Sequence, residues 1–174
     1  MDVKNKRVVV TGAASGIGKA LCEAFYQAEA QSVIAVDMNL DGAQETADSV
    51  NGIAIQANVG NEKDIINVIK KADEHVDGTD IFCSNAGIGG VPGFFEVEAS
   101  DWQNIWDVNV QSHIFAAKHV LPQMIERGEG YLVNTSSAAG LLTQLGAAGY
   151  SVTKAAAVSS VSYTHLTLPT IDPV

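Results

Sequence analysis

Cysteine is nearly missing from this chain. Cys22 and Cys83 are the two present, too few for a disulfide framework, and both sit in apolar stretches. They are expected to be buried, reduced thiols of a cytoplasmic protein. Basic charge is also scarce: 10 Lys and Arg stand against 20 Asp and Glu, a formal net charge of −10 at pH 7. A chain this acidic is repelled by phosphate backbones and anionic lipid, which argues against nucleic-acid and membrane-surface partners. No apolar run approaches the roughly 20 residues of a membrane span, and the N-terminus carries no secretory apolar segment. Charged residues make up only 17% and apolar residues 47% of the sequence, a composition that excludes disorder and suits a packed core. The length of 174 residues fits one domain, with no internal repeat and no linker.

What is present is an alternation of short apolar runs with longer helical patterns, the signature of a parallel sheet with crossover helices. Residues 7–11 (RVVVT) are β-branched without alternation, as in a strand buried on both faces. A glycine-rich turn over residues 12–18 opens a helix reaching Gln27. Residues 32–37, 53–57, 80–84 and 131–135 read as further strands, and 40–50 and 62–75 as helices. In the second of these, Ile65, Ile66, Val68, Ile69 and Ala72 recur at helical spacing. Residues 88–99 read as a loop. Residues 100–127 read as one long helix, with Ser100 and Asp101 as available caps. A last helix is expected to begin near Tyr150. The predicted fold class is α/β, a Rossmann-type doubly wound parallel sheet with helices on both faces.

The turn reads Thr11-Gly12-Ala13-Ala14-Ser15-Gly16-Ile17-Gly18 and lies between the first strand and its helix, where a dinucleotide-binding turn belongs. Gly12 permits the tight turn, Gly16 close approach of a pyrophosphate, and Gly18 close packing of helix on sheet. Ser15 and Ile17 complete the phosphate-facing rim, beside the unpaired N–H groups of the helix N-terminus. Asp37 ends the second strand, where a carboxylate accepts hydrogen bonds from adenosine ribose hydroxyls and repels a 2′-phosphate. NAD is therefore expected over NADP, since Ser15, Met38 and Asn39 supply no compensating cation. Asn58 and Val59, after the third strand, are placed to meet the adenine edge; a plain turn role for Asn58 competes.

Tyr150 and Lys154 are spaced i, i+4, which puts both on one helix face. A phenol with an ordinary pKa of about 10 is a poor base near neutrality, and an adjacent ammonium favours the phenolate. Ser137 lies ahead of them at the carboxyl end of the fifth strand, the ligand-binding edge of such a sheet. Its hydroxyl suits a substrate carbonyl or alcohol oxygen, and Ser136 is its rival. His113 and His119 lack a matching set of metal-ligating residues, so packing is the better reading for both. Trp102 and Trp106 are expected to pack on the sheet or a neighbouring subunit.

With these residues assembled, the chain resembles the short-chain dehydrogenase/reductase (SDR) family. The resemblance rests on residues 11–18, Asn85-Ala86-Gly87, Asn109, the Ser136-Ser137 pair and Tyr150-Ser151-Val152-Thr153-Lys154, in family order over about residues 7–160. It implies an NAD(H)-dependent oxidoreductase interconverting a secondary alcohol and a ketone, with a small-molecule substrate. Tyr150 would exchange a proton with the substrate oxygen while hydride passes to or from the nicotinamide. Lys154 would lower the Tyr150 pKa and bind the nicotinamide ribose, and Ser137 would orient the substrate. Asn109 would hold a water of a proton relay, with a bridging role inside its own helix as the competing reading. Asn85, Ala86 and Gly87 would shape the cofactor side. The parent protein is expected to form a homodimer or homotetramer.

The family pattern breaks off near the C-terminus. Helical character holds through Ser160, whereas residues 161–170 (VSYTHLTLPT) are rich in Thr, β-branched residues and a proline, poor helix material. This decapeptide resembles one reading-frame translation of a transposon-end sequencing adapter. Residues 1–160 are therefore expected to be an incomplete dinucleotide-binding domain and 161–174 a non-native tail. The 174-residue chain by itself is expected to turn over poorly although its parent is an enzyme. Two other classes compete: a non-catalytic dinucleotide-binding regulator of the same fold, and an epimerase or dehydratase holding NAD as a fixed group. The intact Ser137, Tyr150 and Lys154 set argues against the first, and the glycine spacing against the second.

Overall fold

The computed structural model describes residues 2–165 apart from Val91, Glu96 and Thr143. Five strands, β1 (Arg7–Thr11), β2 (Ser32–Asp37), β3 (Ile53–Gln56), β4 (Ile81–Ser84) and β5 (Tyr131–Asn134), pair in parallel in the order β3-β2-β1-β4-β5. The chain winds outward from β1 through α1 (Gly16–Gln27), α2 (Leu40–Ser49) and α3 (Glu62–Val76), then returns to the other side of β1 to lay down β4 and β5. Strand order reverses between β1 and β4, and at such a switch point a crevice opens outside the carboxyl ends of the strands.

The unalternated apolar run of β1 has the physical reason expected: both of its faces are covered. Val9 joins Ile34 and Phe82 beneath α3 and a later helix, α5 (Ser112–Arg127), through Val68, Val120 and Met124. Val8 and Val10 face the opposite layer with Val33, Cys22 of α1 and Ala47 of α2. Cys22 and Cys83 are free and buried, and burial pushes both thiols up to about 12, so neither ionises near neutrality. At the sheet's margin β5 is half open, with Tyr131 and Val133 exposed on one face.

At the amino edge of the sheet Asp80 pairs with Arg7, and Arg127 Nη2 lies 3.7 Å from the same carboxylate. Asp80, just before β4, accepts hydrogen bonds from the Arg7 backbone N–H (2.9 Å) and from its Nε and Nη2 (2.8 and 2.6 Å). Burial alone would raise the Asp80 pKa, but the Arg7 guanidinium and backbone N–H outweigh it and hold the carboxyl below the usual carboxylate range. A depressed folded-state value means that this stabilisation is present above the unfolded carboxylate pKa of about 3.9 and is lost as pH falls through the folded one. Asp80→Asn is expected to lower the unfolding free energy by about 2 kcal/mol near neutral pH. Urea titrations repeated below about pH 4 should show that deficit shrinking.

Three helix expectations are corrected. The stretch read as one helix over 100–127 is α4 (Ala99–Trp106), a π-helical turn (Asp107–Gln111) and then α5. The wider turn inserts a residue into the hydrogen-bond ladder, which hydrophobic periodicity does not register. Ser100 is not the cap either: Glu98 is the N-cap of α4, and Asp101 reaches back to accept its N–H (3.1 Å). The last helix, α6 (Ala148–His165), runs five residues past Ser160. Elongating an existing helix escapes the nucleation cost, and residues such as Val, Ser, Tyr and Thr each cost less than about 0.7 kcal/mol there. The rest of the expected non-native tail, residues 166–174, lies outside the described residues.

Candidate active site

The turn after β1 is built by three glycines doing three different things. Gly12 has φ +69°, and a Cβ on it would come within 2.8 Å of Ala86 Cα, so β4's end crosses directly over the turn. A Cβ on Gly18 would lie 2.0 Å from Gly12 O and 2.8 Å from Asn85 Nδ2, so only hydrogen lets the first turn of α1 seat on β1. At Gly16 (φ +54°) a Cβ would meet nothing within 4 Å: this glycine faces open space. Ser15, the N-cap of α1, makes no side-chain capping bond. The first intrahelical acceptor, Ser15 O, is taken by Lys19 N–H (3.2 Å), leaving the N–H groups ahead of it without helical partners. From α2, the fully buried Thr46 donates to Ala13 O (2.8 Å) and braces the turn from behind.

Asp37 ends β2 beside this turn. Its Oδ2 accepts the Ala14 N–H (3.0 Å) and its Oδ1 the Asn39 N–H (3.0 Å), which leaves one lone pair on each oxygen. Asn58 folds its own turn, with Oδ1 accepting from Gly60 N (3.0 Å), while Val59 is buried.

Across the switch point, threonines tie the strand ends together. Thr11 Oγ1 accepts from the backbone N–H of Asn85 (3.0 Å) and of Ala86 (3.1 Å). Asn85 Nδ2 donates to Thr11 O (3.0 Å), and its Oδ1 accepts from Thr135 Oγ1 (3.0 Å). Thr135 O in turn accepts from Lys154 Nζ (2.9 Å). Lys154 is therefore aimed by β5 as well as by its helix, with its ammonium 5.8 Å from the centre of the Tyr150 ring. It is only 3% exposed, and burial holds its pKa below the usual ammonium value. Gly140 allows the short 3₁₀ turn after β5 (Ala138–Gly140) to lie against α6, since a Cβ there would sit 2.7 Å from the Lys154 backbone.

The two serines part company. Ser136 Oγ turns to the Lys154 carbonyl (3.5 Å), into the protein, whereas Ser137 Oγ accepts the Ala139 N–H (3.2 Å) and keeps its proton for another acceptor. Asn109, in the π-helical turn, is fully buried. It is not confined to bonds within its own helix: Oδ1 accepts from Ile88 N (2.8 Å), and Nδ2 donates to Ile88 O (2.9 Å) and Thr153 Oγ1 (3.1 Å). Asn109 Oδ1 and Lys154 Nζ both come within 3.3 Å of the point where a Cβ on Gly87 would sit.

These groups enclose a crevice of about 680 Å³ along the carboxyl ends of β1, β2, β4 and β5. Every residue the sequence proposed for catalysis or cofactor binding lines it except Asn109, which stands just behind its wall. A sequence model of the family described as short chain dehydrogenase matches residues 6–169. The chain belongs to the short-chain dehydrogenase/reductase family. Among curated SDR and related oxidoreductase sequences it is 32% identical over 160 residues to the 3-oxoacyl-(acyl-carrier-protein) reductase FabG of Vibrio cholerae, covering 91% of this chain and 65% of that protein. It is 31% identical over 163 residues to the uncharacterized oxidoreductase YvrD of Bacillus subtilis, covering 91% and 61%. A solved SDR from Burkholderia phymatum in complex with NAD superposes with a TM-score of 0.92 at 27% identity, covering 97% of this chain and 62% of that one. Levodione reductase, at 23% identity and a TM-score of 0.90, shares the fold. The chain thus spans a little under two thirds of the FabG relative's length.

Within this SDR crevice sequence reasoning passed over Ala57, Val108 and Thr135. All three adjoin residues that were named. Ala57 and Thr135 are the final residues of the strands expected at 53–57 and 131–135, so a rule counting each strand's last residue as lining would have found both. Trp102 packs on α6, with its ring 3.8 Å from where a Cβ on Gly149 would be. Both histidines are structural: His113 is buried against Asn134 (2.9 Å), and burial holds it below the usual imidazole range, while His119 meets Glu62 (2.9 Å). Among the described residues no cluster of His, Cys, Asp and Glu suits a metal, and no helix is long and apolar enough to cross a membrane.

Proposed function

We propose that the crevice binds NAD(H) and that the intact protein is an oxidoreductase interconverting a secondary alcohol and a ketone. The observation that carries this reading is the convergence of Ser137, Tyr150 and Lys154 on one crevice with the glycine turn. The residues fit the cofactor. Open space at Gly16 and unpaired N–H groups at the α1 N-terminus suit a pyrophosphate. The spare lone pairs of Asp37 suit ribose hydroxyls and its charge disfavours a 2′-phosphate. Gly87, flanked by Asn109 Oδ1 and Lys154 Nζ, leaves room on the nicotinamide side. The NAD named with the Burkholderia relative is in keeping with this choice.

The bound nicotinamide supplies or takes up the hydride. The chain's own task is to place the substrate oxygen and move its proton. Ser137 Oγ, anchored by Ala139 N–H, donates to that oxygen. Tyr150 OH passes a proton to it in reduction and recovers the proton in oxidation. Lys154, fixed on Thr135 O, supplies positive charge beside the ring and an N–H for the nicotinamide ribose. Asn109 holds the wall behind them and offers a second Oδ1 lone pair beside Gly87 to a relay water.

Fluorescence titration with NADH and NADPH, followed by NADH oxidation at excess protein over a panel of uncharged ketones, tests the reading. NADH is expected to bind more tightly than NADPH. Asp37→Ala should weaken NADH about tenfold and narrow that preference, because it removes both the ribose acceptor and the charge. Tighter binding of NADPH than NADH by the unaltered chain would reverse the cofactor assignment.

A further inference from the structure

Thr153 has no role in the chemistry above, yet it is fully buried where three parts of the site meet. Its hydroxyl contacts the Tyr150 carbonyl (3.0 Å) and Asn109 Nδ2 (3.1 Å), and the same Nδ2 reaches Ile88 O (2.9 Å). The directions of these bonds are forced. The Ile88 N–H can only donate, so the Asn109 atom facing it is Oδ1, and the atom facing Ile88 O is the amide nitrogen. Both Asn109 N–H groups are then committed, one to Ile88 O and one to Thr153 Oγ1. The Thr153 proton is left for the Tyr150 carbonyl, the i−3 back-bond that fixes a helical threonine's rotamer.

We propose that Thr153 is a positioning residue: through Asn109 its hydroxyl ties the helix of Tyr150 and Lys154 to the loop that follows β4, holding the crevice wall at Ile88. Gly87, Ile88 and Gly89 line the crevice beside the lysine. Helix and loop come from segments more than 60 residues apart, and a hydrogen-bond chain of one threonine and one asparagine sets their separation. Without the hydroxyl, one Asn109 N–H is left buried and unpaired. The loop then relaxes away from α6 and the cofactor side of the crevice widens. The inference rests on the oxidoreductase reading for its cofactor readout alone.

Two pairs of variants isolate the hydroxyl. Thr153→Val keeps the side chain's shape and loses the oxygen. Thr153→Ser and Thr153→Ala both lose the methyl and differ only in the oxygen. Amide hydrogen exchange at Ile88 and NADH affinity are measured on each. Ile88 exchange is expected to quicken about tenfold, and NADH to bind about fivefold more weakly, in Thr153→Val and Thr153→Ala, with Thr153→Ser close to the unaltered chain. If Thr153→Val fails to fold, the Ser and Ala pair decides alone. Equal impairment of Ser and Ala would make the methyl's packing the cause and overturn the proposal. So would faster Ile88 exchange with unchanged NADH affinity, since the tie would then stop short of the site. Absence of NADH binding in the unaltered chain would remove the oxidoreductase reading, and Ile88 exchange would still decide whether the tie exists.

Discussion

Tyr150→Phe is expected to slow ketone-dependent NADH oxidation about 1000-fold while leaving NADH affinity within about twofold of the original. The substitution removes one oxygen and keeps the ring whose centre lies 5.8 Å from Lys154 Nζ, so the packing of α6 and the ammonium's bond to Thr135 O are both preserved. What goes is the group that exchanges a proton with the substrate oxygen. Ser137 still donates a hydrogen bond, but a serine hydroxyl is far too weak an acid to take over the transfer. A factor of 1000 corresponds to about 4 kcal/mol of transition-state stabilisation, within reach of one general acid. Single-turnover measurement at excess protein keeps even a slow reaction readable. A regulator that only bound the dinucleotide would show no ketone-dependent oxidation before the substitution, and none to lose after it. A Tyr150→Phe rate within tenfold of the original would remove the tyrosine from the mechanism.

Gly18→Ala and Gly16→Ala should fail in different ways, although both glycines belong to one turn. At Gly18 the new carbon would stand 2.0 Å from a backbone oxygen of Gly12, a contact no rotamer relieves. Either α1 lifts off β1 or the turn distorts, at an expected cost of about 3 kcal/mol. For a domain of this size that is a fall of about 10 °C in Tm, and NADH binding should be lost with it. At Gly16 the carbon would enter open space, so the loss of stability is confined to the left-handed backbone (φ +54°), about 1 kcal/mol. The same carbon projects from a residue lining the crevice, and NADH affinity is expected to fall about tenfold with Tm nearly kept. Thermal melts and NADH titrations on the two proteins separate these outcomes. Similar Tm losses for both would mean that the turn tolerates no substitution for reasons other than the Gly18 contact.

The parallel sheet was legible because its physical cause is local and repeated. Val8-Val9-Val10 and Val33 to Val36 lack alternation since both of their faces are covered, and the glycine turn after β1 marks where the crevice opens. The crevice-lining set was legible because every strand end in such a sheet faces the same edge. The ties between those ends were not. Thr11 meets Asn85 across 74 residues of sequence, Thr46 meets Ala13 across 33, and Asn109 meets Thr153 across 44. A threonine in a strand or helix carries no sign of which distant amide it will face. The π-helical turn at Asp107–Gln111 was hidden for another reason: one additional residue in a ladder changes the hydrogen-bond register without changing which residues are apolar. It is this turn that carries Asn109, the one proposed site residue set behind the wall of the crevice.

The Arg7–Asp80 clamp grips the strands at the end opposite the one where Tyr150 and the glycine turn lie. Robustness and chemistry are thus housed at opposite poles of the sheet. Substitutions that tighten or loosen the basal pole can accumulate without disturbing the apical one. Stability set at the base and affinity set at the crevice are therefore expected to answer to substitution nearly independently.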